Sequence, residues 1–198
     1  MSGRLQALPL CYNDLDTTLR EAWAMLTDAA RNRHAPMHTV SVSTIGRDGA
    51  PKVRTVVLRA ADPSMRTLRF HADVRSDKVH ELRANPLCEV LAYDVERKIQ
   101  IRLTGRASIH EAGHFAQRAW DESQVMSRLC YRQDAAPGST SADPAALIAF
   151  ADHDGRENFS AIEVLIHDID WVFLSTQGNR RAKFSWASGS WQPSWIAP

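Results

Sequence analysis

A change of hydrophobic period at Pro36 constrains this chain more than any other feature. From Leu15, apolar residues at Leu19, Trp23, Leu26 and Ala30 recur three and four apart, the spacing of an amphipathic helix ended by the His34-Ala35-Pro36 breaker. Beyond Pro36 the pattern alternates with period two over residues 38–45, turns at Arg47-Asp48-Gly49, and resumes over 53–59. An Asp-Gly turn between two alternating runs predicts a β-hairpin. Further strand patterns fall at 67–71, 88–93, 99–109 and 160–174, with a last one around 181–186, giving six or seven strands. Helical stretches at 76–85, stopped by Pro86, and at 112–127, with Phe115, Ala119 and Val125 as its apolar face, interrupt the series without alternating with it. Residues 134–144, with Pro137-Gly138-Ser139-Thr140-Ser141, read as a surface loop.

Consecutive strands with short turns and few helices favour a mainly β, α+β antiparallel barrel or sandwich over a doubly wound parallel sheet. The 198 residues divide into a helical arm over 1–35 and a β domain over 36–198. Composition agrees, with 44% hydrophobic and 24% charged residues, values that exclude collagen-like, coiled-coil and wholly disordered classes. Lys and Arg number 24 against 23 Asp and Glu, so no global field attracts nucleic acid or an acidic membrane, and any anion has to be met by a local cluster. Three scattered cysteines, Cys11, Cys88 and Cys130, point to neither a disulfide framework nor a cysteine zinc site, and a reducing cytoplasm is the simplest home. The stretch from Leu5 to Cys11 is broken by Gln6 and Pro9 and followed by Asn13, Asp14 and Asp16, which is not a signal peptide; the longest apolar run, 145–151, is too short to span a membrane.

Four cationic side chains between Arg54 and Lys78 stand where strands end and a helix begins. Arg54 and Arg59 are five apart, on opposite faces of a regular strand, so they converge only across a bulge or if Arg59 lies past the strand end; otherwise both are solvated. Phe70 to Lys78 reads as a strand, a turn and a helix start capped by Asp73 or Ser76. Open N–H groups there, a hydroxyl, Arg75 and Lys78 form a natural phosphate cradle; the alternative is a plain cap with solvated cations. From Lys98 to Gly105 the alternation puts Ile99, Ile101 and Leu103 on one face and Gln100, Arg102 and Thr104 on the other, where Gln100 either meets a heterocycle edge or faces water. Arg180, Arg181 and Lys183 form a late basic stretch, and Trp186, Trp191 and Trp195 offer rings for stacking or packing. Motifs of dinucleotide-binding folds, P-loops, zinc proteases and serine hydrolases are absent from the chain, and Asp152-His153-Asp154 and His167-Asp168 read as loop or turn residues.

In order, the chain presents Arg54-Thr55-Val56-Val57-Leu58-Arg59, then Ser76-Asp77-Lys78 ahead of Glu81-Leu82-Arg83-Ala84-Asn85-Pro86, then Gln100-Ile101-Arg102-Leu103-Thr104-Gly105, and a tryptophan-rich end. This combination, over residues 36–198, resembles the pyridoxamine 5'-phosphate oxidase-related, FMN-binding split-barrel family. The resemblance implies a six-stranded antiparallel split barrel with flanking helices, and a homodimer with FMN at the subunit interface. It further implies a flavin-dependent oxidoreductase acting on a small molecule, or alternatively a non-catalytic flavin- or cofactor-binding module; no catalytic side chain, metal, nucleic acid or membrane is implied. Carried over by position, Arg54, Val56, Val57, Leu58, Arg59, His71, Ala72, Arg75, Ser76, Lys78, Gln100, Arg181, Lys183 and Trp191 are the expected cofactor contacts, and Arg59 and Arg118 the expected substrate contacts. Asp77 stands where the family has arginine, with Arg75 next to it as the replacement charge; His71-Ala72 replaces an aromatic-Thr pair, and His114 stands in place of a tyrosine.

Overall fold

The computed structural model describes residues 10–176 and 178–198; Arg4 and the Leu5-to-Pro9 part of the N-terminal apolar stretch lie outside the described residues. Helix α1 (Leu15–Arg31) starts where the Asp14 carboxylate accepts the Thr17 N–H at 2.8 Å. It buries Ala22, Trp23, Leu26 and Ala29 in the same hydrophobic cluster as the strands, so the arm and the β domain share one core. The expected hairpin is β1 (Thr39–Ile45) and β2 (Pro51–Val57), paired with Val42 opposite Arg54, and Gly49 supplies the positive φ of 77° that the turn needs. There follow β3 (Ala60–Asp62), β4 (Thr67–Asp73), α2 (Asp77–Ala84), β5 (Leu87–Asp94) and β6 (Ile99–His110). After α3 (Gly113–Asp121), α4 (Val125–Arg128) and a long loop come β7 (Phe159–Phe173), β8 (Arg180–Ala187) and β9 (Ser190–Trp195).

All strand pairs are antiparallel, in the order β2-β1-β5-β6-β7-β4-β3, with β8 and β9 added on the other half of β7. The fold is therefore the expected split barrel, with nine strands rather than six or seven among the described residues. The sheet curls because β7 serves two partners in turn, β4 along its first half and β8 along its second. Its inner face carries Phe70, Ile99, Ile101, Leu103, Ile169, Trp171 and Phe184, all essentially buried. Each such side chain contributes about 1.5–3 kcal/mol through removal from water. A bulge between Thr104 and Gly105 bends the β6–β7 ladder, and glycine is required there: a Cβ would come within 2.5 Å of the Val164 side chain and 2.7 Å of the Leu165 carbonyl. At that end α3 covers the outer face, and Ala119, Trp120, Tyr131, Phe159 and Ala161 form a second, smaller core.

Two expectations change. The helix over 112–127 is split, because the Ser123 N–H and hydroxyl bond back to the carbonyls of Trp120 and Ala119 and end α3; Val125 then stands exposed instead of completing an apolar face. Strands β3 and β9 had no periodic signal: β3 has three residues, and β9 is a mostly exposed edge strand that tolerates Pro193.

Candidate functional site

The expected cradle forms where β4 gives way to α2. Ser76 sits at the N-cap with extended backbone but does not cap its own helix; its hydroxyl donates instead to the Asp73 carbonyl at 2.7 Å. The first-turn N–H groups of α2 therefore keep their positive end open. Lys78, on that turn, is half-buried, and its ammonium has the Ser76 hydroxyl at 3.4 Å and no carboxylate in ion-pair reach among the described residues. Burial pushes the Lys78 pKa below its usual value, and the positive charge of Arg54 adds to the effect. Arg54 enters from β2 on the core side of the sheet, where its guanidinium bonds the Thr44 hydroxyl and donates to the Glu81 carboxylate at 2.7 Å. The Thr44 hydroxyl donates to the same Glu81 oxygen at 2.5 Å, and both Thr44 and Glu81 are buried. Two converging cations and an open helix terminus suit an anion with several acceptor oxygens, such as a phosphate monoester.

Arg75 does not join them. Its guanidinium grips the buried Asp73 carboxylate through two bonds of 3.0 and 2.7 Å and donates to the carbonyls of Gln133 and Asp134 at 3.0 and 3.1 Å. The charge expected to replace the missing arginine is thus spent on holding the loop after the short helical turn at Leu129–Arg132 against the barrel. Val56, Leu58 and Ala72 are turned inward as core residues, while Val57 is half-buried on the other side of β2.

Arg59 lies past the end of β2, as convergence with Arg54 would require, and its N–H donates to the Arg69 carbonyl at 2.7 Å. Its charge reaches His71 instead. Burial first, then Arg69 and Arg59, hold the His71 pKa at about 3, so this ring is neutral at physiological pH. Its Nδ1 is 3.4 Å from the Ser123 hydroxyl, its edge meets Phe159, and its Nε2 is buried without a hydrogen-bond partner. Arg118 is exposed on α3 beside Glu122, at 3.9 Å, and Glu122 in turn takes Arg69 at 2.6 Å. Arg59, His71 and the α3 surface bearing Arg118 therefore border one region, linked through Arg69.

Gln100 projects from the opposite face of the sheet to Arg54, across from Tyr93 and Val172. Arg181 and Lys183 lie on that outer face too, around a cavity of about 370 Å³ also lined by Glu89, Arg102, Thr104, Asp168 and Asp170. Here every cation is matched. Asp170 takes Arg102 at 2.5 Å and Arg181 at 2.6 and 2.9 Å, while Lys183 stands 3.6 Å from Asp168. Burial alone would raise the Asp170 pKa, but the bonds from Arg181 and Arg102 outweigh it and the net shift is downward. Trp191 pairs edge to face with Trp186 across the β8–β9 hairpin, and Arg66 stacks on Trp186 at 3.9 Å. Leu91 and Tyr93 are exposed between these groups and the hairpin of β1 and β2.

Sequence reading missed Thr44, Glu81 and Asp170. Glu81 shares a helix stripe with Lys78 and the buried Leu82, at spacings of three and four, and a carboxylate on a buried stripe is the signal that would have found it.

The curled antiparallel sheet is a split barrel, and its cation-flanked, uncapped helix start is open to an anion. Residues 20–111 match the family model of the pyridoxamine 5'-phosphate oxidase FMN-binding domain, whose cofactor is FMN. Over those residues the chain is similar to that FMN-binding domain, and its fold is that of the pyridoxamine 5'-phosphate oxidase-related split barrels. It is 32% identical over 99 residues to pyridoxine/pyridoxamine 5'-phosphate oxidase 2 of Arabidopsis thaliana, covering 46% of this chain and 50% of that one. With the pyridoxine/pyridoxamine 5'-phosphate oxidase of Deinococcus deserti it shares 31% over 126 residues, 62% of this chain and 58% of the other. The chain thus spans about half the length of these curated relatives. Among solved structures it resembles a pyridoxamine 5'-phosphate oxidase-related, FMN-binding protein of Nostoc punctiforme, with TM-score 0.75, 21% identity and 90% and 96% of the two chains covered. PhzG of Burkholderia lata, solved in complex with tetrahydrophenazine-1-carboxylic acid, gives TM-score 0.76 at 20% identity over 99% and 100%.

Proposed function

We propose that this chain is an FMN-dependent oxidoreductase acting on a small molecule in the cytoplasm, as a homodimer with FMN at the subunit interface. The observation that carries the reading is Lys78, a half-buried ammonium with a hydroxyl as its hydrogen-bond partner and no carboxylate in ion-pair reach among the described residues, beside a second cation at an open helix start. Such a group is costly to hold unless an anion completes it, and a flavin phosphate fits the donor set. FMN, when bound, supplies two-electron redox chemistry. The part of this chain is to bind and orient: Arg54 and Lys78 neutralise the phosphate beside Ser76, and Gln100, whose amide makes no hydrogen bond to a described residue, is free to meet the edge of the ring.

Cradle and Gln100 lie on opposite faces of one sheet, and a second copy supplies the missing half of the site. Exposed Leu91 and Tyr93 beside Gln100 support a partner on that outer face. Arg59 and Arg118, bordering the neutral His71, are the residues proposed to meet substrate. The alternative reading is a binding module that holds flavin without turnover. The deciding experiment is the visible absorption spectrum of the purified protein before and after FMN, with size exclusion, followed by turnover of pyridoxamine 5'-phosphate and other reductants. Flavin held on a dimer and reduced faster than free FMN is the expected result. A held flavin without acceleration favours the module, and a protein that ignores FMN overturns the proposal.

A further inference from the structure

The cradle contains its own counter-anion, and this is not needed to bind a phosphate. The Glu81 carboxylate is 2.7 Å from the Arg54 guanidinium and 2.5 Å from the Thr44 hydroxyl, and only 7% of the residue is exposed. Thr44 and Glu81 together occupy both terminal nitrogens of Arg54. A phosphate arriving at Arg54 and Lys78 meets a buried like charge, with little water to screen it. From this geometry we infer that Glu81 is a built-in competitor that fixes the aim of Arg54 and sets how tightly this chain holds a phosphate-bearing ligand. The inference rests on the FMN reading above, because it assigns a regulating residue to that same site. Charge counting explains the effect: Arg54 and Lys78 offer two positive charges, and Glu81 removes one of them. Lys52 and Asp77 also border this corner, but both are more exposed and Lys52 is matched by Asp48 at 2.8 Å.

Glu81→Gln separates aim from charge, since a glutamine oxygen accepts the same two bonds without the negative charge. FMN and inorganic phosphate are expected to bind Glu81→Gln roughly ten-fold or more tightly than they bind wild type, the size of effect a nearby buried like charge produces. Riboflavin, which has no phosphate, is expected to bind both proteins equally. A purely structural role for Glu81 would instead lower affinity for FMN and riboflavin together. Wild type provides a second readout that needs no variant: its preference for FMN over riboflavin is expected to be roughly a hundred-fold or less. Tighter FMN binding in the variant with riboflavin unchanged supports the inference. Equal or weaker FMN binding in the variant, or a wild-type preference beyond a thousand-fold, overturns it. Arg54→Ala with Lys78→Ala tells the two failures apart: if this pair leaves FMN binding intact, the cradle assignment itself falls, whereas if it abolishes binding while Glu81→Gln changes nothing, only the role of Glu81 falls.

Discussion

Two clusters of basic side chains, one at the start of α2 and one on the outer face of β6, β7 and β8, look alike in sequence and differ in structure. On the outer face Arg102 and Arg181 share Asp170, and Lys183 is answered by Asp168. At α2, Arg54 is answered by Glu81 but Lys78 has no carboxylate in reach among the described residues. Counting cations therefore does not find an anion site. What distinguishes a site is a desolvated cation whose partner is missing, because the fold pays an energetic penalty there that only a ligand relieves.

The largest effect expected from breaking this contrast is in Arg54→Ala, which strands the buried Glu81 carboxylate. Flavin retention should be lost and chemical denaturation should show about 2–4 kcal/mol less stability. Lys78→Ala sharpens the comparison. FMN affinity, followed by quenching of flavin fluorescence, is expected to fall about ten- to hundred-fold, while the flavin-free protein melts at the same temperature or higher because an uncompensated buried charge has been removed. A third effect comes from His71, whose pKa of about 3 lies well below its unfolded value. Between these two values the unfolded chain binds the proton and the folded one does not, so the stability is complete above about pH 6.5 and drains away as pH falls toward 3, by up to roughly 1.4 kcal/mol per unit. His71→Gln should flatten that slope in melts taken between pH 7 and 4. The smallest effect is expected on the outer face, where Lys183→Ala removes an exposed pair and should change stability by less than about 0.5 kcal/mol.

Most of the fold was legible because it is written locally. Alternation with a buried face identified β1, β2 and β6, and Asp48-Gly49 identified the hairpin turn. Elements without a one-sided burial pattern were not legible: β9 is exposed on nearly every residue, and the end of α3 depends on Ser123 bonding to its own helix. In the site, Ser76 and Lys78 could be read from a single turn, since they lie two residues apart at a helix start. Arg75 could not, because its fate depends on Gln133 and Asp134, which the chain brings back only after some sixty residues. Glu81 is 27 residues from Arg54 and Asp170 is 68 from Arg102, so which cation is matched follows from tertiary packing alone.

Whether Lys78 holds a flavin phosphate is decided by titrating FMN into wild type and Lys78→Ala side by side, with inorganic phosphate as competitor. Saturable binding to wild type that phosphate weakens is expected, with a clear loss of both binding and phosphate competition in the variant. Equal affinity in the two proteins, insensitive to phosphate, would contradict it.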